Sequence, residues 1–256
     1  MSIFRYSISD ALRWASFCND YNPVHFFYTS KNEKPIVHGM RVALDIKNHI
    51  LSNAKTFSDA KAYLNVSVKF VNPVYYNCDY ILSPFSVSDR IKLKLNNYDN
   101  LNTVIETTVT TCDNHKASAP ANVLLINGLY FSKYFESFLV NFRQIKDELF
   151  WDSLLFCVVI SSLKNQLILV DSLEDILVNS TLIHTHQHLT YKKSFIDTYK
   201  YSDENITPYI KVWCNSLIKY TDNEFLISIT ACLYTTEPVM SSEIILKVIK
   251  GDCYER

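Results

Sequence analysis

The sequence predicts an α+β fold in which helices pack on an antiparallel sheet, and it predicts that this arrangement occurs twice. Three observations carry the expectation. Residues 9–51 hold two segments with apolar side chains at helical spacing. Residues 63–126 hold a succession of short alternating or β-branched runs. Residues 134–249 then repeat that order, helical segments first and strands after. With 256 residues the chain can build two ordinary-sized units. No Gly/Ser/Pro-rich linker separates them, so the halves are expected to form one body, divided as residues 1–127 and 128–256.

Taken in order, Ser9-Asp10 can cap a helix reaching Phe17, with Leu12, Trp14, Ala15 and Phe17 as its apolar contacts. Asp20 to Pro35 is rich in turn formers. Val42, Ala43, Ile46 and Ile50 recur at helical spacing, which predicts a helix from Gly39 to Leu51. Strands are predicted at 63–70, 80–89, 91–95, 103–111 and 123–126. In the second half, 134–149 and 150–163 read as helices, and 182–191, 209–218, 225–234 and 243–249 as strands. A slide of roughly 121 residues lays VKFVNPVYYNCDY over LTYKKSFIDTYKY, weakly in identity but consistently in element order.

Composition excludes several classes. Net charge is −1, and no concentrated basic face is visible, so nucleic acid is not expected as a partner. The only glycines are Gly39, Gly128 and Gly251, so neither a Rossmann fingerprint nor a P-loop can be present. Seven cysteines, odd in number and never in C-x-x-C spacing, read as reduced thiols rather than disulfides or a zinc site. The N-terminus has no signal-peptide pattern. The most apolar window, 149–163, is broken by Asp152 and too short to cross a membrane. A cytoplasmic protein with no membrane partner is expected, which leaves the Asn-x-Ser/Thr sites at Asn65, Asn179 and Asn205 without meaning.

The chemistry concentrates in FCNDYNPVHFFYTSKNEKPIVHGM, residues 17–40. Asp20 and His25 stand five apart around an Asn22-Pro23 turn. His38-Gly39-Met40 follows where a helix begins. A general acid/base pair beside a free backbone N–H is what adding water to an activated double bond requires.

Asp20-Tyr21-Asn22-Pro23-Val24-His25 followed by Pro35-Ile36-Val37-His38-Gly39-Met40 resembles the signature of the MaoC-like (R)-specific enoyl-CoA hydratases and dehydratases. Val68-Lys69-Phe70 to Pro73-Val74-Tyr75 resembles the strand pair that follows it. The resemblance covers roughly residues 8–127 and implies a hotdog fold, here a double hotdog with one active site. It implies a lyase acting on a 2-enoyl or (R)-3-hydroxyacyl thioester of fatty-acid or polyketide type. Asp20 and His25 map onto the catalytic pair, the Gly39 N–H onto the oxyanion donor, and Asn22, Pro23, His38 and Met40 onto the substrate's surroundings. No cofactor or metal is implied. The acyl group would arrive on CoA or acyl carrier protein, and double hotdogs can pair further as a homodimer.

Some residues depart from the pattern. Cys18-Asn19 replaces the family's usual Ser-Gly before the Asp. The loop from His25 to Pro35 is short. Asp45 and Lys47 sit on the central helix, where a buried charge would need a partner. The second half has no D-x-N-P-x-H, and is expected to supply sheet pairing and a wall of the acyl pocket. His184-Thr185-His186-Gln187-His188 reads as a polar strand face, with a two-histidine metal site as the lesser alternative. Two other functions stay open: a cyclase adding a substrate hydroxyl to an enoyl thioester, and a non-catalytic subunit that binds acyl chains.

Overall fold

A computed structural model describes residues 2–28, 34–53, 61–87, 90–115, 119–120, 123–127, 131–165, 180–198 and 208–250. Gly128, Gly251, Cys253, Asn179, Asn205 and part of the loop after His25 lie outside the described residues.

Helix α1 spans Ile8–Cys18 and α2 spans Gly39–Ser52. Before α1 a short strand, β1 (Ser2–Arg5), forms, which the sequence pattern had not disclosed. The cap of α1 lies two residues earlier than expected. The Asp10 carboxylate accepts from both the N–H and the hydroxyl of Ser7, each at 2.8 Å, which fixes Ser7 as N-cap. Strands β2 (Tyr63–Phe70), β3 (Asp79–Val87), β4 (Arg90–Asn97) and β5 (Thr103–Cys112) complete the first half close to their predicted bounds.

The second half contains β6 (Leu124–Asn127), α3 (Phe131–Asn141), α4 (Leu149–Lys164), β7 (Ser180–Lys192), a short α5 (Lys193–Thr198), β8 (Tyr209–Lys219), β9 (Glu224–Tyr234) and β10 (Pro238–Lys250). The helix predicted over 134–149 stops at Asn141, for a reason found on α2. Asn48 accepts the Lys146 N–H at 3.0 Å and donates to the Gln144 carbonyl at 3.2 Å. One amide side chain thus serves the backbone of a turn in place of helical bonds.

The ten strands among the described residues form one antiparallel sheet in the order β1-β3-β4-β5-β2-β7-β10-β9-β8-β6. The order is a palindrome of the two halves, joined where β2 pairs β7 from Tyr63↔Lys192 to Lys69↔His186. Strand β6 pairs β8 at one edge of the sheet as β1 pairs β3 at the other.

The core lies between sheet and helices. Helix α4 is buried on every side, from Leu149 through Ile160 and again at Ser162 and Leu163, because it packs against α1, α2, β9 and β10 together. Lys47 and Asp152, the two charges that interrupt apolar helices, meet here. The Lys47 Nζ donates to Asp152 Oδ2 and to Gln187 Oε1, both at 2.5 Å. The Gln187 Nε2 donates to Asp152 Oδ1 (2.8 Å) and Ser242 Oγ (2.7 Å). All four residues are fully buried. The partner that Lys47 requires comes from the other half of the chain. No helix among the described residues is long and apolar enough to cross a membrane.

Candidate active site

Helix α1 ends at Asn19, which adopts left-handed geometry (φ 55°, ψ 35°). Asparagine tolerates this region better than most residues, so the chain makes a sharp helix end here without a glycine. The chain then turns through Asp20 into a 3-10 turn at Pro23–His25. Asn22 builds that turn: its Oδ1 accepts the Val24 N–H (3.4 Å), and its Nδ2 donates to the Leu182 carbonyl of β7 (2.6 Å). Ile36 and Val37 are tied to Val24 and Val74 by backbone bonds of 3.1 and 2.7 Å, and they deliver His38 and Gly39 to the start of α2.

Asp20, His25 and His38 are all buried and bring one polar atom each within 4.8 Å of one another. The His25 ring stacks on His38 at 3.6 Å between centroids. His25 Nδ1 lies 2.9 Å from the Ile36 carbonyl. A carbonyl only accepts, so Nδ1 carries the proton and Nε2 keeps its lone pair. Burial pushes the His25 pKa below its ordinary value; Asp20 and the Ile36 bond work against that, and Lys164 adds to it. His25 is therefore a neutral imidazole with its basic lone pair on Nε2.

His38 Nε2 donates to the Asp20 backbone carbonyl at 3.0 Å. Burial, with His25 as neighbour, lowers its pKa to about 3. From the second half, Lys164 donates to the Asn19 carbonyl (2.8 Å) and lies 3.5 Å from Asp20 Oδ1. Among the described residues, Asp20, His25 and His38 are the set whose ligand atoms lie close enough together to hold a metal ion.

These groups line a cavity of about 210 Å³ together with Gly39, Met40, Phe70, Phe156, Leu182 and His184. Asn22 and Pro23, expected beside the substrate, shape the loop and do not line the cavity. Gly39 is the first residue of α2, so its N–H has no carbonyl one turn back to bond. A β-carbon there would stand 3.2 Å from Cβ and Nδ1 of His184 and from Cε1 of Phe70. A side chain at this position would need His184 and Phe70 to give by a few tenths of an ångström.

His184 was not legible as a site residue. Alternation would place it on one face with His186 and His188. A bulge at Thr185, where Leu246 pairs His184 and Ile245 pairs His186, breaks that parity. His184 turns toward the cavity, between the rings of Phe70 (4.6 Å) and Phe156 (5.2 Å). Gln187 joins the buried network, while His188 faces solvent. The bulge takes His184 off the face that His186 and His188 still share. Lys164 was missed as well, since nothing near it in sequence signals a contact with Asp20.

No family model matches the sequence, and no curated protein does either. Solved structures do. A conserved hypothetical protein of Mycobacterium tuberculosis, described as having a double hotdog fold, superposes with a TM-score of 0.55 at 9% identity, over 97% of this chain and 94% of that one. The dehydratase domain of RzxB from Pseudomonas fluorescens gives 0.49 at 8%, over 96% and 92%. A MaoC-like dehydratase gives 0.48 at 7%, over 96% and 95%. The first of these, with the palindromic sheet, identifies the fold: the chain is a double hotdog.

Proposed function

We propose that the protein is a lyase that adds water to, or removes it from, an acyl thioester. The observation that carries this is the meeting of Asp20 with a neutral His25, its lone pair on Nε2, in a mostly apolar cavity that ends at an unpaired helix-start N–H. In the hydration direction, Asp20 and His25 hold one water between them. The water oxygen bonds to C3 as His25 Nε2 takes its proton, and Asp20 accepts from the remaining O–H. Electrons of the double bond move to the thioester oxygen, which the Gly39 N–H and the positive end of α2 receive. The imidazolium then returns its proton to C2, and the neutral state is restored. Dehydration is the same path reversed. Acid/base work of this kind contributes about 100- to 10,000-fold.

The cavity lies below the ~300–1,000 Å³ usual for ligand sites, which favours a short acyl group. The carrier in this reading is CoA or acyl carrier protein, the product has (R) configuration by resemblance to the MaoC-like family, and no cofactor takes part. Crotonyl-CoA and longer enoyl thioesters, on CoA and on carrier protein, test the proposal by loss of enoyl absorbance. Turnover that falls with chain length and disappears in His25→Ala supports it. Binding without turnover on every carrier would leave the acyl-binding subunit as the better reading.

A further inference from the structure

Asp20 stands in an unfavourable place for an anion. It lies two residues past the C-terminus of α1, where the helix presents unpaired carbonyls and partial negative charge. Lys164 sits in the last turn of α4, another negative helix end, and its ammonium reaches the same spot. It donates to the carbonyl of Asn19, the left-handed C-cap of α1, at 2.8 Å and lies 3.5 Å from Asp20 Oδ1. One cation therefore faces two helix C-termini and a carboxylate. Among the described residues it is the cation that the structure pairs with Asp20. A further polar contact of this backbone, from His38 Nε2 to the Asp20 carbonyl, comes from the first half.

We propose that Lys164, carried by the half without the catalytic motif, is a positioning residue of the site: it pins the Asn19–Asp20 peptide and holds the Asp20 side chain toward His25. The inference rests on the thioester reading for its effect on rate but not for its effect on the loop. It gives the second half a share in the active site beyond a wall. It also accounts for asparagine at position 19. A glycine can turn left-handed unaided; here the turn is made by Asn19 and secured by a cation on its carbonyl.

The test compares the full chain with Lys164→Met and Lys164→Arg. Hydrogen exchange of the 19–25 backbone needs no substrate. The Lys164 contacts are partly exposed, and their loss accelerates local opening by about two- to fivefold. Exchange should rise by that factor in Lys164→Met and return most of the way in Lys164→Arg, with the rest of the sheet unchanged. With crotonyl-CoA, Lys164→Met should lose about tenfold or more in kcat with little change in KM, and the arginine variant should recover it. Unchanged exchange in Lys164→Met overturns the proposal whatever the activity. Altered exchange with normal kcat overturns its catalytic part. A wild type inactive on all thioesters sinks the thioester reading, while the exchange result still decides whether Lys164 positions the loop.

Discussion

Removing one member of the Lys47–Asp152 pair should cost far more than removing both. The two side chains are fully buried, come from opposite halves of the chain and meet at 2.5 Å. Burial pulls the Lys47 pKa down while Asp152 supports its charge. Asp152→Leu leaves an ammonium whose hydrogen-bonded oxygen among the described residues is Gln187 Oε1. Lys47→Met leaves a carboxylate held by the Gln187 amide alone. Breaking a buried pair from one side costs about 3–5 kcal/mol, so two independent losses would sum to about 6–10 kcal/mol. The double variant removes both charges and leaves Gln187 bonded to Ser242, at a cost of roughly 0–3 kcal/mol. Urea unfolding followed by tryptophan fluorescence gives all four corners of the cycle. A coupling of at least about 3 kcal/mol is expected, with m-values unchanged. Single losses below ~1 kcal/mol, or a double variant that equals their sum, would refute the view that this network locks the two halves together.

Asp20→Asn should reduce turnover by about 100-fold or more, because the amide places a donor where the water needs an acceptor; steady-state kinetics checks it, and a loss below tenfold contradicts it. Gly39→Ala should push His184 and Phe70 outward, costing about 1–3 kcal/mol in urea unfolding and slowing turnover; an unperturbed variant would mean the 3.2 Å contacts are not limiting. Stability should fall in mild acid. His38 titrates at about 3 when folded and near 6.5 when unfolded, so below about pH 6.5 the unfolded chain takes up a proton that the folded one refuses. This contribution is complete above that pH and shrinks as pH drops, by about 2 kcal/mol between pH 7.5 and 5. His38→Gln should remove its share of that slope and leave those of His25 and His184, which burial also lowers; an unchanged slope would assign it elsewhere.

The elements were legible where periodicity was clean. Strand β2 matches its predicted bounds, and α4 announced its all-round burial by a run of apolar residues. What sequence could not reveal arose from long-range contacts. The early stop of α3 depends on Asn48, about a hundred positions away. The identity of Lys47's partner depends on how the halves meet, although its need for one followed from its place on the central helix, where the resembled pattern is apolar. His184 was hidden by a single-residue bulge, since strand parity assumes an unbroken ladder. At the site, the local motif brought Asp20, His25, His38 and Gly39 together as expected. Asn22 and Pro23 proved to be loop builders because proximity in sequence does not say which way a side chain faces.

The central claim is that His25 moves a proton between water and C2 of a thioester. Incubating crotonyl-CoA in deuterated water and analysing the product by mass spectrometry tests it most directly. Wild type should yield 3-hydroxybutyryl-CoA with a single deuterium at C2, on one face only, and His25→Ala of unchanged melting temperature should yield none above the buffer control. Equal deuterium incorporation by His25→Ala and wild type would contradict the account.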